Sequence, residues 1–500
     1  MSLWKRQIIG TSGSADAYWA GGFTLDVGGA NNTGGYFTYQ NVLSYDNDND
    51  ILWGYVGNNT GVPTESNIFA IDGYNGSFLS SYSLGISWAG ASSGTYRHDA
   101  HNLGSYPSKN GILYMGGYAP YQVSSSGYTN TMFANATIDI SASGTNRGLK
   151  SGNAAQGHGG DGNLHAGAIL NNPSSYSDDY IVYLLGDEYF TSGPLNKNHI
   201  WALEPDGTVK WQKQLFNGSA AYVGGIATGA STSNIYIAGY NNTAQCVFGP
   251  YSHDTLSQGT GYQIIASPTS VEQGVQSLKI TSESGTEYAY IGLRSSLLKI
   301  RVSDASPQWY KRLAYKTEDM QFFNNSLSVL SDGRICQFGS MRANASLPKQ
   351  YTGSLAIWNP NGTLDKLYQV GPVTSSATSD YVYGRGLVVD SRDNLYLNVF
   401  TNTIPNSNSM QSIIKVPASD PTLKSPYTNT SVLYHSWPIY DRTSSSDLVI
   451  TNPASTSLTA SSIASFGASS SGSYRDTSTS LSDTAFDAGS DISDWDLEIQ

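Results

Sequence analysis

The chain has 500 residues and a formal net charge of −12; only 13% of its residues are charged, while glycine occurs 53 times and tyrosine 35 times. An average soluble domain has roughly 25% charged residues, so this composition argues against a charge-rich helical protein or a coiled coil and favours an all-β protein with short strands and glycine-rich turns. The acidic balance disfavours nucleic-acid binding through a basic surface, and no apolar run approaches the roughly 18 residues of a membrane span.

The first predicted element is a short strand at residues 3–9. Its sequence WKRQI at 4–8 is similar to WQKQL at 211–215 and WYKRL at 309–313, which are predicted outer strands of internal repeats. In the last repeat, built from about 380–425, no fourth strand is recognisable after the third. Propellers often close their ring by pairing one terminus with the blade that the other terminus forms. We therefore expect residues 3–9 to pair with that last repeat and complete it.

An apolar and aromatic strand that ends on a small residue recurs seven times along the chain. The copies are ILWGYVG at 51–57, ILYMGG at 112–117, IVYLLG at 181–186, NIYIAG at 234–239, YAYIG at 288–292, RICQFG at 334–339 and NLYLNV at 394–399. Their closing residues are Gly57, Gly116, Gly186, Gly239, Gly292, Gly339 and Asn398. A spacing of about 57 residues is typical of a multi-stranded repeat.

We predict that each copy is the second of four antiparallel strands. A preceding strand and a following hairpin accompany most copies, as at 199–216 and 354–370, where Asp206-Gly207 and Asn361-Gly362 supply the positive φ of a tight turn. The fourth repeat has the weakest outer strands, at Val247-Phe248 and 263–265. Seven such units predict an all-β fold, a seven-bladed β-propeller over residues 1–440.

The last element, residues 441–500, has a different composition. It contains 17 serines, nine acidic residues and two arginines, which is typical of a solvated extension. Short strands are predicted at 447–451 and 495–499. We expect this acidic C-terminal extension to bind a neighbouring protein through residues that include Trp495, Asp496, Leu497 and Ile499.

Cysteine content and the N-terminus bear on where the protein is made. Cys246 and Cys336 are the only cysteines and predict no disulfide framework. The opening MSLWKRQIIGTSG carries positive charge without an apolar stretch behind it, so no secretory signal is predicted. We expect synthesis in a reducing cytoplasm without secretion.

Two groups of histidine and aspartate precede the core strands of adjacent repeats. These candidate metal ligands are His98, Asp99, His101, His158, Asp161 and His165. Histidine and carboxylate groups near a channel mouth can bind a metal or a polar ligand. The alternative, which we favour, is that they order glycine-rich loops by hydrogen bonding, so neither a metal nor a cofactor is predicted.

Other candidate sites match known chemistry only in part. Asp46, Asp48 and Asp50 resemble the opening of a calcium loop, but Ile51 and the residues after it lack the required glycine and glutamate, so a plain turn is favoured. A glycosidase needs two opposed carboxylates, which Asp187-Glu188 alone does not supply. The segment DGTVKW at 206–211 departs from a sialidase Asp box because its Asp and Gly are adjacent.

Three segments resemble known repeats: NLYLNVF at 394–400, LVVDSRDN at 387–394 and HIWALEPDGTVKWQ at 199–212. They are similar to seven-bladed propeller repeats and quinoprotein-like repeats, in which a strand, a small residue and an A-x-D-x-x-G-x-x-x-W hairpin recur. The resemblance covers about residues 1–430 and implies the fold. Quinoprotein dehydrogenases carry adjacent cysteines and a signal peptide, and this sequence has neither, so cofactor-dependent oxidation is not expected.

The opening MSLWKRQIIGTSGSADAYW and the Gly/Ser/Asn/Thr/Tyr-rich surface resemble virion proteins of tailed bacteriophages. This resemblance implies a non-catalytic structural protein of the tail or fibre, present in several copies, with other virion proteins as partners and attachment to a host glycan or receptor as a second role. One alternative is a propeller enzyme acting on polysaccharide, with His98, His101, His158, Asp161 or Asp187 in its site. Another is a cell-surface binding module.

Overall fold

The structure is a computed structural model that describes residues 18–24, 43–57, 66–87, 107–121, 130–140, 149–151, 162–188, 197–215, 221–241, 246–254, 261–264, 275–315, 318–319, 321–342, 351–370, 381–402, 409–422, 427–428, 436–437, 439–446, 448–451, 460–463, 468–469, 482–486 and 496–499. These residues form strands and turns, and no helix among them is long and apolar enough to cross a membrane.

Seven antiparallel sheets of four main strands form a ring, and each sheet is one blade. Blade 1 consists of β2 (Leu43–Asp46), β3 (Ile51–Gly57), β4 (Ser66–Asp72) and β5 (Phe78–Ser87). Blade 2 consists of β6 (Ser108–Lys109), β7 (Ile112–Tyr121), β8 (Asn130–Asp139) and β9 (Leu149–Ser151). Blade 3 consists of β10 (Gly162–Asn171), β11 (Tyr180–Glu188), β12 (Lys197–Leu203) and β13 (Val209–Leu215).

The remaining blades follow the same order. Blade 4 consists of β14 (Ala221–Thr228), β15 (Asn234–Asn241), β16 (Cys246–Ser252) and β17 (Gly261–Ile264). Blade 5 consists of β18 (Val275–Glu283), β19 (Thr286–Leu293), β20 (Ser296–Arg301) and β21 (Pro307–Tyr315), with the short β22 (Glu318–Asp319) beside β21. Blade 6 consists of β23 (Gln321–Val329), β24 (Ile335–Arg342), β25 (Tyr351–Trp358) and β26 (Leu364–Val370). Blade 7 consists of β27 (Tyr381–Val389), β28 (Asn394–Asn402), β29 (Ser409–Pro417) and β1 (Trp19–Thr24).

The predicted seven-bladed propeller is therefore confirmed. All seven apolar segments found in the sequence are second strands of blades, and the weak fourth repeat forms a complete blade with β16 and β17. First strands of successive blades contact one another, for example β14 with β18 and β23 with β27, so the first strands surround the ring axis.

The middle strands are apolar because neighbouring blades cover both of their faces. In β11 every residue from Ile181 to Leu185 is fully buried, so the polar–apolar alternation of a half-exposed strand is absent. Tryptophans in blades 1, 3 and 6, namely Trp53, Trp201 and Trp358, fill the space between blades. Cys246 and Cys336 are both buried in different blades with free thiols, and burial raises the pKa of the Cys246 thiol to about 12.

Tight turns join the strands as the Asp-Gly and Asn-Gly pairs predicted. Gly207 has φ of 81° and Gly362 has φ of 84°. Asp206 accepts a hydrogen bond from the backbone nitrogen of Thr208 at 2.7 Å, which stabilises the turn. A Cβ atom on Gly207 would lie 2.0 Å from Thr137 Oγ1, so this position needs glycine for contact with blade 2 as well as for its backbone angle.

The strand that completes blade 7 and closes the ring is β1. It pairs with β29 from Trp19↔Lys415 to Thr24↔Met410. Trp19 is fully buried, and its indole nitrogen donates to the carbonyl of Gly73 in blade 1 at 3.4 Å. Residues 3–9, for which this pairing was expected, lie outside the described residues.

Among the described residues, strands between 439 and 499 add a fifth strand to six of the seven blades. We call these six strands the belt: β32 (Ile439–Asp441), β33 (Leu448–Thr451), β34 (Ala460–Ile463), β35 (Ala468–Ser469), β36 (Ser482–Phe486) and β37 (Asp496–Ile499). They pair in turn with blades 6, 5, 4, 3, 1 and 7. The belt therefore passes round the ring against the order in which the blades follow one another in the sequence. A two-stranded hairpin, β30 (Tyr427–Thr428) and β31 (Ser436–Trp437), precedes it.

The strands predicted at 447–451 and 495–499 are present as β33 and β37. Asp496, Leu497 and Ile499 pair through their backbone with β1, and Trp495 lies outside the described residues. Binding of a neighbouring protein by these residues stays a prediction.

Candidate functional site: axial channel and belt

The first strands of five blades share a β-bulge near their start. Pairing skips positions between Leu164 and Ala166, Val223 and Gly225, Val275 and Ser277, Phe322 and Leu327, and Gly384 and Gly386. A bulge leaves a residue unpaired and turns its side chain away from the regular pleat. Because these strands surround the axis, the repeated bulges decide which side chains the channel presents.

The single residues skipped by pairing differ between blades: His165, Gly224, Gln276 and Arg385. The Arg385 guanidinium is buried and lies 4.6 Å from the centre of the Tyr383 ring. His165, one of the predicted metal ligands, occupies the bulge of blade 3. In three of these blades the residue at the bulge is therefore polar or basic.

In blades 3, 4 and 5 the small closing residue of the repeat lies beside this bulge. Gly186 pairs with Leu164, Gly239 with Val223, and Gly292 with Ser277. A Cβ atom on Gly292 would lie 2.3 Å from Ser277 Oγ. The recurring glycine is thus explained by close approach of the second strand to the distorted first strand.

An axial cavity of about 300 Å³ lies farther along the first strands, and all seven blades contribute to it. Its lining is mostly apolar or small, with residues such as Ala168, Ala227 and Val388. Lys279 of β18 is the one charged side chain among the lining residues. The cavity is thus a concave pocket of mixed polar and apolar lining with one positive group, as in many small-molecule sites.

Burial lowers the pKa of Lys279 below its ordinary value. The side chain is partly exposed, and no carboxylate lies among the lining residues, so partial loss of water disfavours its charged form. An anion entering the cavity would meet this charge at reduced dielectric screening.

Hydroxyl groups supply the remaining polar atoms of the cavity. Ser44 Oγ and Ser108 Oγ lie 2.7 Å apart and share a hydrogen bond across the boundary between blades 1 and 2. Thr228 donates to the carbonyl of Ile169 at 2.9 Å. Ser328 of blade 6 also lines the cavity. These groups can orient a polar ligand but none is a strong base.

The boundary between blades 7 and 1 holds a separate polar network. Arg392 Nη2 donates to Tyr45 Oη at 3.1 Å, Asp50 Oδ1 at 2.8 Å and Asp390 Oδ2 at 3.1 Å. The Tyr45 and Tyr396 rings stack with centroids 4.9 Å apart, and burial chiefly raises the pKa of Tyr396. These groups satisfy one another across the ring closure, so we assign them to stability of the fold.

The structure places the other predicted site residues as follows. His98, Asp99, His101, His158 and Asp161 lie outside the described residues. Among the residues that are described, no group of three or more His, Cys, Asp or Glu side chains is placed to hold a metal ion. Asp187 and Glu188 end β11 and pair with β10 and β12.

Asp46–Asp50 form the turn between β2 and β3. Asp46 accepts hydrogen bonds from the backbone nitrogen of Asp48 and from Asn49 Nδ2. The pattern that resembles a calcium loop is thus occupied by hydrogen bonds within a hairpin turn.

Lys279 was missed by the sequence analysis, although a signal exists. The corresponding stretches of four other first strands carry no charge: AGAIL at 166–170, GGIAT at 224–228, LSVL at 327–330 and GLVV at 386–389. Blade 5 has SLKI at 277–280 instead. Alignment of the first strands would have shown the lysine, but the repeats were recognised by their second strands.

No family model matches the sequence, and no curated protein does. Solved structures do match. Sqt1 from Chaetomium thermophilum is 9% identical with a TM-score of 0.35, over 74% of this chain and 95% of that one. A subtype N11 neuraminidase-like protein of A/flat-faced bat/Peru (H18N11) is 11% identical with a TM-score of 0.33, over 77% and 89% of the two chains. Trypanosoma rangeli sialidase, in complex with 2,3-difluoro-KDN, is 11% identical with a TM-score of 0.30, over 76% and 53%.

These similarities concern the fold alone. They nevertheless correct one expectation, that the protein is not an enzyme. The similar structures include a neuraminidase-like protein and a sialidase, so a propeller of this kind gives no ground for excluding catalysis. The quinoprotein and virion resemblances have no counterpart among these three structures.

Proposed function

We propose that the protein is a structural component of a large particle, of the kind formed by tailed bacteriophages, and that it docks into the particle through its belt. One observation carries the proposal. The exposed large apolar side chains of the described residues are concentrated on the belt, where Tyr440, Val449 and Ile450 are each 42% exposed. Clustered apolar residues on a surface favour contact with another protein.

The belt also offers backbone groups for association. Each belt strand pairs on one side with a blade, and within the described part of the chain its other side carries no further strand. An open edge can accept a strand from a neighbouring protein. Val449 and Ile450 of β33 point to opposite faces of the sheet, so a partner at the open edge would cover one of them. We therefore propose that the extension binds its partner through the outer edge of the belt strands.

The composition agrees with this proposal. Charge is scarce over the whole chain, and the two cysteines are buried and unpaired. A particle protein of this kind would depend on a closed ring for its stability, and it would be made in the host cytoplasm and assembled there without secretion.

The test is incorporation into particles. In a genome that encodes the protein, the double variant Val449→Asp/Ile450→Asp should reduce its amount in purified particles at least about tenfold, because charge at a desolvated contact costs more than 1.4 kcal/mol. Leu79→Asp is the matched control: Leu79 is 46% exposed on blade 1, outside the belt, and its variant should be incorporated normally.

Quantitative mass spectrometry of particles and circular dichroism of the purified variants are the measurements. Absence of the wild-type chain from purified particles would remove the proposal. Equal incorporation of the belt variant and the Leu79 variant would show that the belt is not the docking surface.

A further inference from the structure

We propose that the axial cavity is a binding site for a small oxyanion, a molecule bearing a carboxylate or phosphate group, with Lys279 as the group that binds the charge. This inference is independent of the belt and of particle assembly, because it rests on the inner strands alone.

The cavity is built by the ring as a whole. Residues from the first strands of all seven blades line it, or in blade 2 the residues Pro107 and Ser108 at the start of the blade. A volume of about 300 Å³ is at the lower end of ligand pockets in proteins and fits a single sugar-sized or smaller molecule. Because the wall comes from paired strands, the site is preorganised.

Within the described part of the chain, no carboxylate offsets the charge in the cavity. No aspartate or glutamate is among its lining residues, and Lys279 has no hydrogen bond or ion pair with any residue in the described part of the chain. Even partial removal of an ammonium group from water is costly when no partner offsets it. An anionic ligand would supply the missing partner.

The surrounding hydroxyl groups fit an oxyanion. Of the Ser44–Ser108 pair, only one hydroxyl can donate within the pair, so the other hydroxyl hydrogen is available to a ligand. Ser328 adds a further donor at the wall. An ammonium group with hydroxyl donors favours oxygen anions, whereas metal cations would be repelled by Lys279.

The apolar remainder of the wall limits the ligand further. Residues such as Ile169, Ile226 and Ile280 line the same cavity. A ligand with one charged end and a compact, less polar body would place its oxyanion at Lys279 and its body against these side chains. Large polyanions are excluded by the volume.

The experiment is calorimetric titration of the full-length protein with two probes, glucuronate and inorganic phosphate. Binding of either probe by the wild type, weakened about tenfold or more in Lys279→Met, is the expected result. Lys311→Met is the control, since Lys311 lies on the outer strand β21 of the same blade, and its affinity should match the wild type. The probe that binds tells whether the group is a carboxylate or a phosphate.

A second measurement avoids variants. An amine-reactive reagent is applied to the wild type, and labelling of Lys279 is followed by mass spectrometry. Saturating probe should slow that labelling about fivefold or more, as expected for an occupied site, without affecting labelling of Lys311. The proposal is overturned if neither probe binds, if Lys279→Met binds as tightly as the wild type, or if neither probe protects Lys279.

Discussion

The ring and the belt are both made of antiparallel strands, but different interactions hold them. In the ring, middle strands such as β11 are buried on both faces, and apolar side chains of neighbouring blades pack together. In the belt, β33 is joined to blade 5 from Leu448↔Tyr315 to Thr451↔Arg312, while Val449 and Ile450 remain exposed. Side-chain burial therefore determines the ring, whereas backbone pairing at existing edges determines the belt.

The energies of the two modes differ accordingly. Burial of a large apolar side chain contributes roughly 1.5–3 kcal/mol. A backbone hydrogen bond contributes a net of about 0.5–1.5 kcal/mol, and ordering a residue costs about 1–2 kcal/mol. A fifth strand without side-chain burial is thus close to neutral, and its main effect is to replace the edge of the blade by an outer edge formed by the belt.

The largest expected effect comes from the strand that closes the ring. Trp19→Ala should lower the free energy of unfolding by about 3–5 kcal/mol, because a fully buried indole between blades 7 and 1 is lost. Ile450→Ala on the belt is the control and should change it by no more than about 0.5 kcal/mol. Urea unfolding followed by circular dichroism measures both. Similar losses in the two variants would contradict the distinction between ring and belt.

A pH dependence tests the same closure. Lys415 is buried in β29 beside β1, and burial lowers its pKa from 10.5 to about 8. Below pH 8 both folded and unfolded chains bind this proton and the cost of burying the charge is fully present. Between pH 8 and 10.5 only the unfolded chain keeps this proton, so from pH 8 to 9.5 the wild type should gain about 2 kcal/mol of stability relative to Lys415→Met. The buried Cys246 thiol, whose pKa is raised, acts in the opposite direction in both chains and cancels in this comparison.

Lys415→Met should remove that rise, since the variant has no group to titrate. Lys366→Met, which changes a half-exposed lysine of blade 6, should leave it in place. Urea unfolding at several pH values is the measurement. Parallel pH profiles for the wild type and Lys415→Met would show that burial does not lower the pKa of Lys415.

The smallest expected change in stability comes from removing most of the belt. A chain ending at Ser446 keeps β32, whose Ile439 is buried against blade 6, and loses β33–β37. We expect a folded ring whose free energy of unfolding changes by no more than about 1 kcal/mol. The hydrogen bonds that the belt makes nearly offset the conformational entropy that is lost when the belt is ordered. Light scattering should show self-association through the uncovered edges. An unfolded product would mean that the belt is part of the core.

The repeats were recognised from sequence because their middle strands are apolar on both faces. Segments such as IVYLLG at 181–186 keep this character in every blade, and the closing glycine is required by the approach to the bulge. The Asp206-Gly207 turn likewise depends on residues adjacent in the chain. Features with a local cause were predictable.

The identity of the closing strand could not be predicted from the sequence, because it depends on pairing between the two ends of the chain. WKRQI at 4–8 is similar to other outer strands, yet the strand beside β29 is WAGGFT at 19–24. The cavity was also not predicted. Lys279 is one lysine in an ordinary strand sequence, and only the ring brings it to an axis that seven blades share.

Composition and periodicity were enough to determine the fold class, the number of blades and most of the turns, because burial and turn geometry act on neighbouring residues. The ring closure, the axial site and the belt arose only in the tertiary structure. The belt is the clearest case: the sequence predicted strands at 447–451 and 495–499 but not the blades with which they pair, because the pairing uses backbone groups that every residue has. Such pairing is specified by the edges that the folded blades present.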